Sequence, residues 1–201
     1  MATKEKKKAN TKYDIHEIIQ ERWSPRSFSD REVKPELIRK LFDAARWAPS
    51  SFNEQPWRFI YARKEEPGQF DRLYRVMGEF NQNWAGEAPV LILTIAKKKF
   101  SNNGNPNRVA KFDVGAAMSY LTFEATRHDL YVHQMAGIDQ EKAREIFDIP
   151  DGYKALTMAA VGYIGDPDDL EGDLKKTEVS ERTRKDIDEI AFQGEWKGEK
   201  E

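Results

Sequence analysis

Cysteine is absent from the sequence. Its absence excludes disulfides, thiolate catalysis, iron–sulfur clusters and cysteine-ligated zinc. No apolar run approaches the roughly 20 residues that a helix needs to cross a bilayer. The lysine-rich start of the chain lacks the apolar stretch of a secretory signal. These absences predict a cytoplasmic protein with no membrane partner and no metal site built on cysteine.

The sequence also lacks a dominant charge sign, because 33 Lys and Arg side chains stand against 35 Asp and Glu, for a net charge of −2. Bulk binding of nucleic acid needs a basic field, so nucleic acid is not an expected partner. What the chain does have is 39% apolar residues over a length of 201, which is enough for one packed domain with arms.

The domain organisation follows from composition. Residues 1–12 have little apolar content and predict a disordered, solvated tail; a nucleic-acid-binding arm is the alternative interpretation. Residues 13–180 are expected to form the folded body. Residues 181–201 are expected to form a C-terminal arm that begins with a basic segment and carries isolated apolar side chains.

Within the body, hydrophobic periodicity predicts helices over 13–21, 35–48, 67–84, 112–128 and 140–147. Aromatic, β-branched or continuously apolar runs predict strands over 57–62, 89–96, 130–133 and 155–164. The chain after Gly165 has the composition of a loop. Because helices and strands do not alternate in a clean βαβ pattern, an α+β fold is favoured over a doubly wound one.

The first candidate cluster is Arg22-Trp23-Ser24-Pro25-Arg26. Its two guanidinium groups flank a hydroxyl, and planar forks of N–H donors match the oxygens of a phosphate. The alternative is an ordinary charged loop, which these five residues alone do not exclude.

The second cluster lies between Pro49 and Pro56, where a helix ends and a strand begins. It contains Ser51, Phe52, Asn53 and Gln55. Two prolines stiffen the loop, and the amides can recognise the donors and acceptors at the edge of a flat heterocycle. A rigid connector is the alternative, although a plain connector has no need of so many amide and hydroxyl groups.

Two weaker clusters follow along the chain. Met135, Ala136 and Gly137 come after a short strand, and small residues there allow a ligand to approach the backbone closely. Arg182 and Arg184 lie in a basic run that could hold an anion. The alternatives are a simple strand-to-helix turn and a solvated charge run.

In this order, the four clusters resemble the nitroreductase family of flavoproteins, from about Ile15 to Trp196. Arg22-x-Ser24-x-Arg26 is similar to the family's phosphate-binding motif, and residues 45–59 resemble its most recognisable stretch. The resemblance implies a central, mostly antiparallel sheet flanked by helices. It also implies a homodimer whose C-terminal arms are exchanged and whose FMN pockets are built from both chains.

The resemblance also implies the chemistry. FMN would accept hydride at N5 from NADH or NADPH and then reduce a second substrate, such as a nitroaromatic or quinone, with ping-pong kinetics. No side chain is expected to be catalytic, and His16, His128 and His133 are expected to have structural or surface roles. The expected flavin-binding residues are Arg22, Trp23, Ser24, Arg26, Ser51, Phe52, Asn53, Gln55, Met135, Ala136, Gly137, Arg182 and Arg184.

Two features depart from the family pattern. His128-Asp129-Leu130 stands where relatives often have a glycine-containing turn, and the chain between Pro89 and Phe112 has no helical insertion to build a substrate lid. The second departure leaves the acceptor open. Other flavin chemistry on the same scaffold, such as dehalogenation or oxidation, and a flavin-binding protein without enzymatic activity remain as alternatives.

Overall fold

The computed structural model describes residues 7–198, which form an antiparallel sheet with helices on both faces. The strands are β1 (Trp57–Arg63), β2 (Val90–Lys97), β3 (Leu130–Met135) and β4 (Tyr153–Tyr163). The helices are α1 (Glu17–Glu21), α2 (Pro35–Ala45), α3 (Pro67–Tyr74), α4 (Glu79–Ala85), α5 (Ala110–Arg127), α6 (Gln140–Phe147) and α7 (Gly172–Val179). The predicted α+β class with an antiparallel sheet is confirmed.

The sheet has the strand order β1-β2-β4-β3, so β2 and β4 are central and β1 and β3 are its edges. Strand β2 is buried from Val90 to Ala96, as its continuous apolar sequence predicts. Residues along β4 alternate between the two faces: Met158 packs into one core and Ala159 into the other. The sheet therefore separates two hydrophobic layers.

One layer is built by α2 and α5, with Ile38, Leu41 and Leu121 fully buried against the sheet. Helix α5 turns its other side outwards, where Phe112 is 78% exposed and Tyr120 is 42% exposed. No helix within residues 7–198 is long and apolar enough to cross a membrane.

The opposite layer contains α3, α4, α6 and the segment from Trp23 to Phe28. The Trp23 ring meets Tyr131 of β3 edge-on, with ring centroids 6.0 Å apart, and Phe28 pairs with Ile164 just beyond β4. These contacts hold the first candidate cluster at the β3 side of the sheet.

The single helix predicted over 67–84 is wrong, because α3 ends at Tyr74 and α4 begins at Glu79. Between them the backbone turns to meet the loop after β3. Met77 pairs with Ile138, and the Gly78 N–H donates to the Gly137 carbonyl at 3.0 Å. This tertiary pairing replaces helical hydrogen bonds at Gly78, a residue with weak helix propensity.

The loop predicted after Gly165 is also wrong in part, since α7 occupies Gly172–Val179. Hydrophobic periodicity did not reveal this helix because its one buried residue is charged, Glu178. Residues 1–6 of the predicted tail lie outside the described residues. Residues 7–12 lie near α1, where the Ala9 N–H donates to the Gln20 carbonyl at 2.8 Å.

Candidate functional site

Three guanidinium groups meet at one place on the surface. Arg22 directly follows α1, and Arg182 and Arg184 follow α7. Together with residues from Ala9 to Ile19, they line a cavity of about 620 Å³. The first and fourth predicted clusters, which are far apart in sequence, are therefore brought together.

The residues that line this cavity carry more positive than negative charge, since Asp186 is the one carboxylate among them. Burial lowers the pKa of Arg22, and the positive charge of Arg184 lowers it further. The pKa of Arg182 is lowered by burial and then by repulsion from Arg22 and Arg184. Within residues 7–198, none of the three forms an ion pair with a carboxylate. A bound anion would relieve this repulsion, and a phosphate matches the donor geometry.

Arg182 is largely engaged in holding the chain together. Its Nη1 donates to the carbonyls of Lys7 at 2.7 Å and Gln20 at 2.9 Å, and its Nη2 donates to that of Arg22 at 2.7 Å. Three of the five N–H donors of a guanidinium are thus used by backbone. Sequence reasoning assigned Arg182 to a ligand and missed this function, which positions Arg22.

The Arg26 side chain contains a buried hydrogen-bond donor that has no acceptor. Its Nε is buried without a hydrogen bond, as are the indole nitrogens of Trp23 and Trp84. The Arg26 guanidinium lies 5.8 Å from the Trp84 ring centroid. Buried N–H groups left without acceptors are costly, so these orphaned donors fit a site that an acceptor-rich ligand completes.

Glu178 is the residue that sequence reasoning missed. It is 2% exposed, and its carboxylate accepts hydrogen bonds from the backbone N–H of Arg26, at 3.1 and 2.9 Å, and of Ser27, at 3.3 Å. Lys7 donates to the backbone carbonyl of the same residue. The signal in the sequence is the four-residue spacing of Leu174 and Glu178, which places the two side chains on one face of a helix.

The third cluster begins with Met135, the last residue of β3, and continues into the loop that follows. Met135 is buried, whereas Ala136 and Gly137 are exposed. Asn81 Nδ2 donates to the Gly137 carbonyl at 3.1 Å, and a Cβ at Gly137 would come within 2.9 Å of that nitrogen. The contact is with the far end of the flexible Asn81 side chain, which a small side chain at position 137 would displace. That a ligand approaches the backbone closely here stays a prediction.

His133, on β3, connects the third cluster to the first. Its Nδ1 lies 2.9 Å from the Pro25 carbonyl, and its ring centroid lies 4.5 Å from that of Trp84. Burial lowers its pKa to about 4, with the hydrogen bond to Pro25 opposing the shift and Arg26 adding to it. A neutral imidazole that donates to a carbonyl agrees with the predicted structural role.

The second cluster has an unusual backbone. Phe52, Asn53 and Gln55 have φ values of 53°, 54° and 52°, in the left-handed region that non-glycine residues rarely occupy. Gln55 Nε2 donates to Asn53 Oδ1 at 3.2 Å, and Ser51 N donates to Asp113 at 3.2 Å. Such strain persists only where surrounding contacts impose it, and it is concentrated at functional sites.

Glu54 supplies much of that constraint. Its side chain is 7% exposed and accepts from Lys97 Nζ at 2.8 Å and from the Ser101 backbone at 2.8 Å. The hydrogen bond from Lys97 lowers the pKa of Glu54 to about 2, with those from Ser101 next in importance. Phe52 is 86% exposed and meets Phe100 edge-on at 5.7 Å.

The structure does not bring the second cluster to the other three within one chain. The loop before Trp57 leads into β1, at one edge of the sheet, whereas the first and third clusters pack on β3, at the other. Three strand spacings of roughly 4.8 Å separate these edges, or about 14 Å. One chain therefore presents two separate halves of the predicted site.

The model of the nitroreductase family matches residues 19–163. A solved structure titled as an oxidoreductase containing FMN is 35% identical, with a TM-score of 0.88 over 94% of this chain and 96% of that one. A protein of Archaeoglobus fulgidus with the provisional name NADH dehydrogenase/NAD(P)H nitroreductase is 29% identical over 76% of this chain and 87% of its own length. An uncharacterised 15.4 kDa protein of Mycolicibacterium smegmatis is 32% identical over 57% of this chain and 76% of its own length. The chain belongs to the nitroreductase family.

Proposed function

We propose that the chain is an FMN-dependent oxidoreductase that takes hydride from NADH or NADPH and reduces a small acceptor such as a nitroaromatic or a quinone. The observation that carries the proposal is the cluster of Arg22, Arg182 and Arg184, which lacks a carboxylate partner in the described chain. The 35% identical relative that contains FMN supports the choice of anion, because FMN ends in a phosphate.

The residues present fit FMN. Arg22 and Arg184, which line the cavity, would neutralise and bind its phosphate. Arg26, whose buried Nε lacks a partner, and the Ser24 hydroxyl would join them from the same segment as Arg22. Arg182 would contribute through its remaining donors while it holds Arg22 in place. Trp23 lines a second cavity together with Arg182 and carries an unpartnered indole N–H.

The ring would lie against the third cluster, where the exposed backbone of Ala136 and Gly137 would offer N–H donors beside the buried Met135. When bound, FMN would supply the redox chemistry, accepting hydride at N5 and passing electrons to a second substrate in the same pocket. The protein would position the ring and exclude water, and no side chain would need to transfer a proton. The neutral His133, which is bound to the Pro25 carbonyl, agrees with this role.

We further propose that the chain is a homodimer and that the second cluster completes the pocket of the partner. Ser51, Phe52, Asn53 and Gln55 would contact the ring across the interface, since the two halves lie on opposite edges of one sheet. The outer face of α5 exposes Gly115 and Ser119, small residues that allow close packing of another chain.

Exposed apolar side chains support the same interface. Trp47 is 71% exposed, Phe52 86% and Phe112 78%, and the hydrogen bond from Ser51 to Asp113 brings the second cluster to the start of α5. On the C-terminal arm, Trp196 is 73% exposed. Large exposed aromatics grouped in this way mark surfaces that another molecule covers.

A mixed dimer tests the shared pocket. Arg26→Ala damages the phosphate half and Asn53→Ala the ring half, and each homodimer is expected to bind FMN weakly. Differently tagged chains would be co-expressed, and the mixed dimer purified through both tags. In a shared pocket, one site of that dimer carries both defects and the other carries none, so half of the sites regain the parental dissociation constant. Uniformly weak binding in the mixed dimer would contradict the shared pocket.

The enzymatic activity is tested by anaerobic stopped-flow absorbance. Mixing the flavin-loaded protein with NADH or NADPH should bleach the flavin band, and a panel of nitroaromatics and quinones should then restore it. A protein that binds FMN but is bleached by neither nucleotide would instead be a flavin-binding protein without this activity. Bleaching followed by reoxidation only with oxygen would favour an oxidase.

A further inference from the structure

Residues 97–112 contain five cationic side chains and no acidic one, although the whole chain is nearly balanced in charge. Lys97 is neutralised by Glu54 at 2.8 Å. The remaining four cations, which we name the basic hairpin patch, are Lys98, Lys99, Arg108 and Lys111. All four are exposed, and none takes part in an ion pair anywhere in residues 7–198.

The patch is carried by an ordered hairpin. The Asn107 N–H donates to the Lys98 carbonyl at 2.8 Å, Lys99 pairs with Pro106, and the Phe100 N–H donates to Asn105 at 2.9 Å. These bonds place Lys98 and Lys99 on one arm of the hairpin, opposite Asn107 and Pro106. Arg108 follows the other arm, and Lys111 lies in the first turn of α5. The four cations are thus carried on a short ordered stretch without an acidic side chain, which favours the binding of an anion there.

The hairpin is fixed to the second cluster. Glu54 accepts from the Ser101 N–H at 2.8 Å and from its hydroxyl at 2.7 Å, and Phe100 packs on Phe52. Because both contacts involve residues of the 51–55 loop, the basic hairpin patch holds a set position beside the side chains proposed to meet the flavin. An anionic group attached to a molecule seated on the flavin ring would come close to this patch.

We propose that the basic hairpin patch binds the 2′-phosphate of NADPH and makes NADPH the preferred electron donor over NADH. This inference rests on the proposed function, since it requires a nicotinamide nucleotide to reach the flavin. The two nucleotides differ only in that phosphate, so a preference must arise from the groups that meet it. Lysine and arginine are the side chains suited to a phosphate, and the other cationic cluster, Arg22, Arg182 and Arg184, is assigned to FMN.

The test compares bleaching by the two nucleotides at low ionic strength. We expect the second-order rate constant with NADPH to exceed that with NADH on the order of tenfold, the size that several exposed ion pairs supply together. The double variant Lys98→Gln/Lys99→Gln and the single variant Arg108→Gln should lose most of this preference by slowing the reaction with NADPH alone. The matched control is Lys34→Gln/Lys40→Gln, two exposed lysines without ion pairs on another part of the surface, which should keep it.

Calorimetric titration with 2′,5′-ADP and with 5′-ADP gives a readout that needs no turnover. The parent protein should bind 2′,5′-ADP more tightly, and the hairpin variants should bind the two equally. Equal rates with both nucleotides, unchanged in the hairpin variants, would overturn the inference and leave the proposed function intact. Bleaching by neither nucleotide would overturn the proposed function, and equal binding of the two adenosine phosphates would then overturn the inference as well.

Discussion

Replacing Glu178 by glutamine should loosen the segment from Arg22 to Ser27 without removing any residue proposed to touch a ligand. The carboxylate accepts from two backbone N–H groups, those of Arg26 and Ser27, at 2.9–3.3 Å. Hydrogen bonds to a charged group contribute about 1.5–3 kcal/mol each. Glutamine keeps one acceptor oxygen and places an NH₂ group against the remaining donor. A neutral amide is cheaper to bury than a carboxylate, and this difference offsets part of the loss of hydrogen bonding. The free energy of unfolding should therefore fall by about 2–4 kcal/mol.

Part of this loss should appear in cofactor affinity, because Arg26 and the neighbouring Arg22 depend on the loop that Glu178 holds. FMN should bind the variant less tightly, whereas riboflavin, which has no phosphate, should bind as it does to the parent. Urea unfolding of the apo-protein and fluorescence titrations with both flavins would measure the two effects. Glu181→Gln is the matched control, since Glu181 is exposed and nearby. Parental stability with an unchanged ratio of FMN to riboflavin affinity would refute the positioning role.

Arg26→Ala should weaken FMN binding by roughly 1.5–3 kcal/mol, the range for hydrogen bonds to charged groups. An unchanged dissociation constant in a titration of the apo-protein would show that Arg26 does not bind the phosphate. Burial lowers the pKa of His133 in the folded chain to about 4 from its ordinary value of 6.5, so the unfolded chain binds the proton first as the pH falls. Stability should therefore fall as the pH drops from 6.5 to 4, by at most about 3 kcal/mol. His133→Gln should remove this slope in urea unfolding yet leave the rate of flavin reduction within a few-fold; a loss of roughly 100-fold would identify a missed acid. Deleting residues 186–201 should abolish both the dimer and flavin retention, and a truncated dimer that keeps its flavin in light scattering and absorbance would contradict the role of the arm.

Much of the fold could be predicted because single segments carry their own signals. The continuous apolar run at 89–96 can only be a buried element, and β2 indeed lies at the centre of the sheet. The break between α3 and α4 could not be predicted in this way, because it depends on pairing with Ile138, a residue more than fifty positions away. Helix α7 was not predicted for another reason. Its buried side chain is the carboxylate of Glu178, and a search for periodic apolar residues does not detect it.

The site was predictable as a set of residues more than as an arrangement. The run Arg22-x-Ser24-x-Arg26 indicates donors suited to a phosphate, and the 51–55 loop indicates donors suited to a flat ring. Sequence does not reveal that these two groups lie on opposite sheet edges, because strand order is a property of the fold. The sequence also does not reveal that Arg182 donates three hydrogen bonds to backbone carbonyls, because those carbonyls lie in the N-terminal part of the chain.

The identity of the bound cofactor tests the central claim most directly. The purified protein should be yellow, and heat or acid should release one flavin per chain that chromatographs as FMN. The same spectrum should return when the apo-protein is titrated with FMN. Release of FAD, or a colourless protein whose absorbance and fluorescence ignore added FMN, would contradict the account.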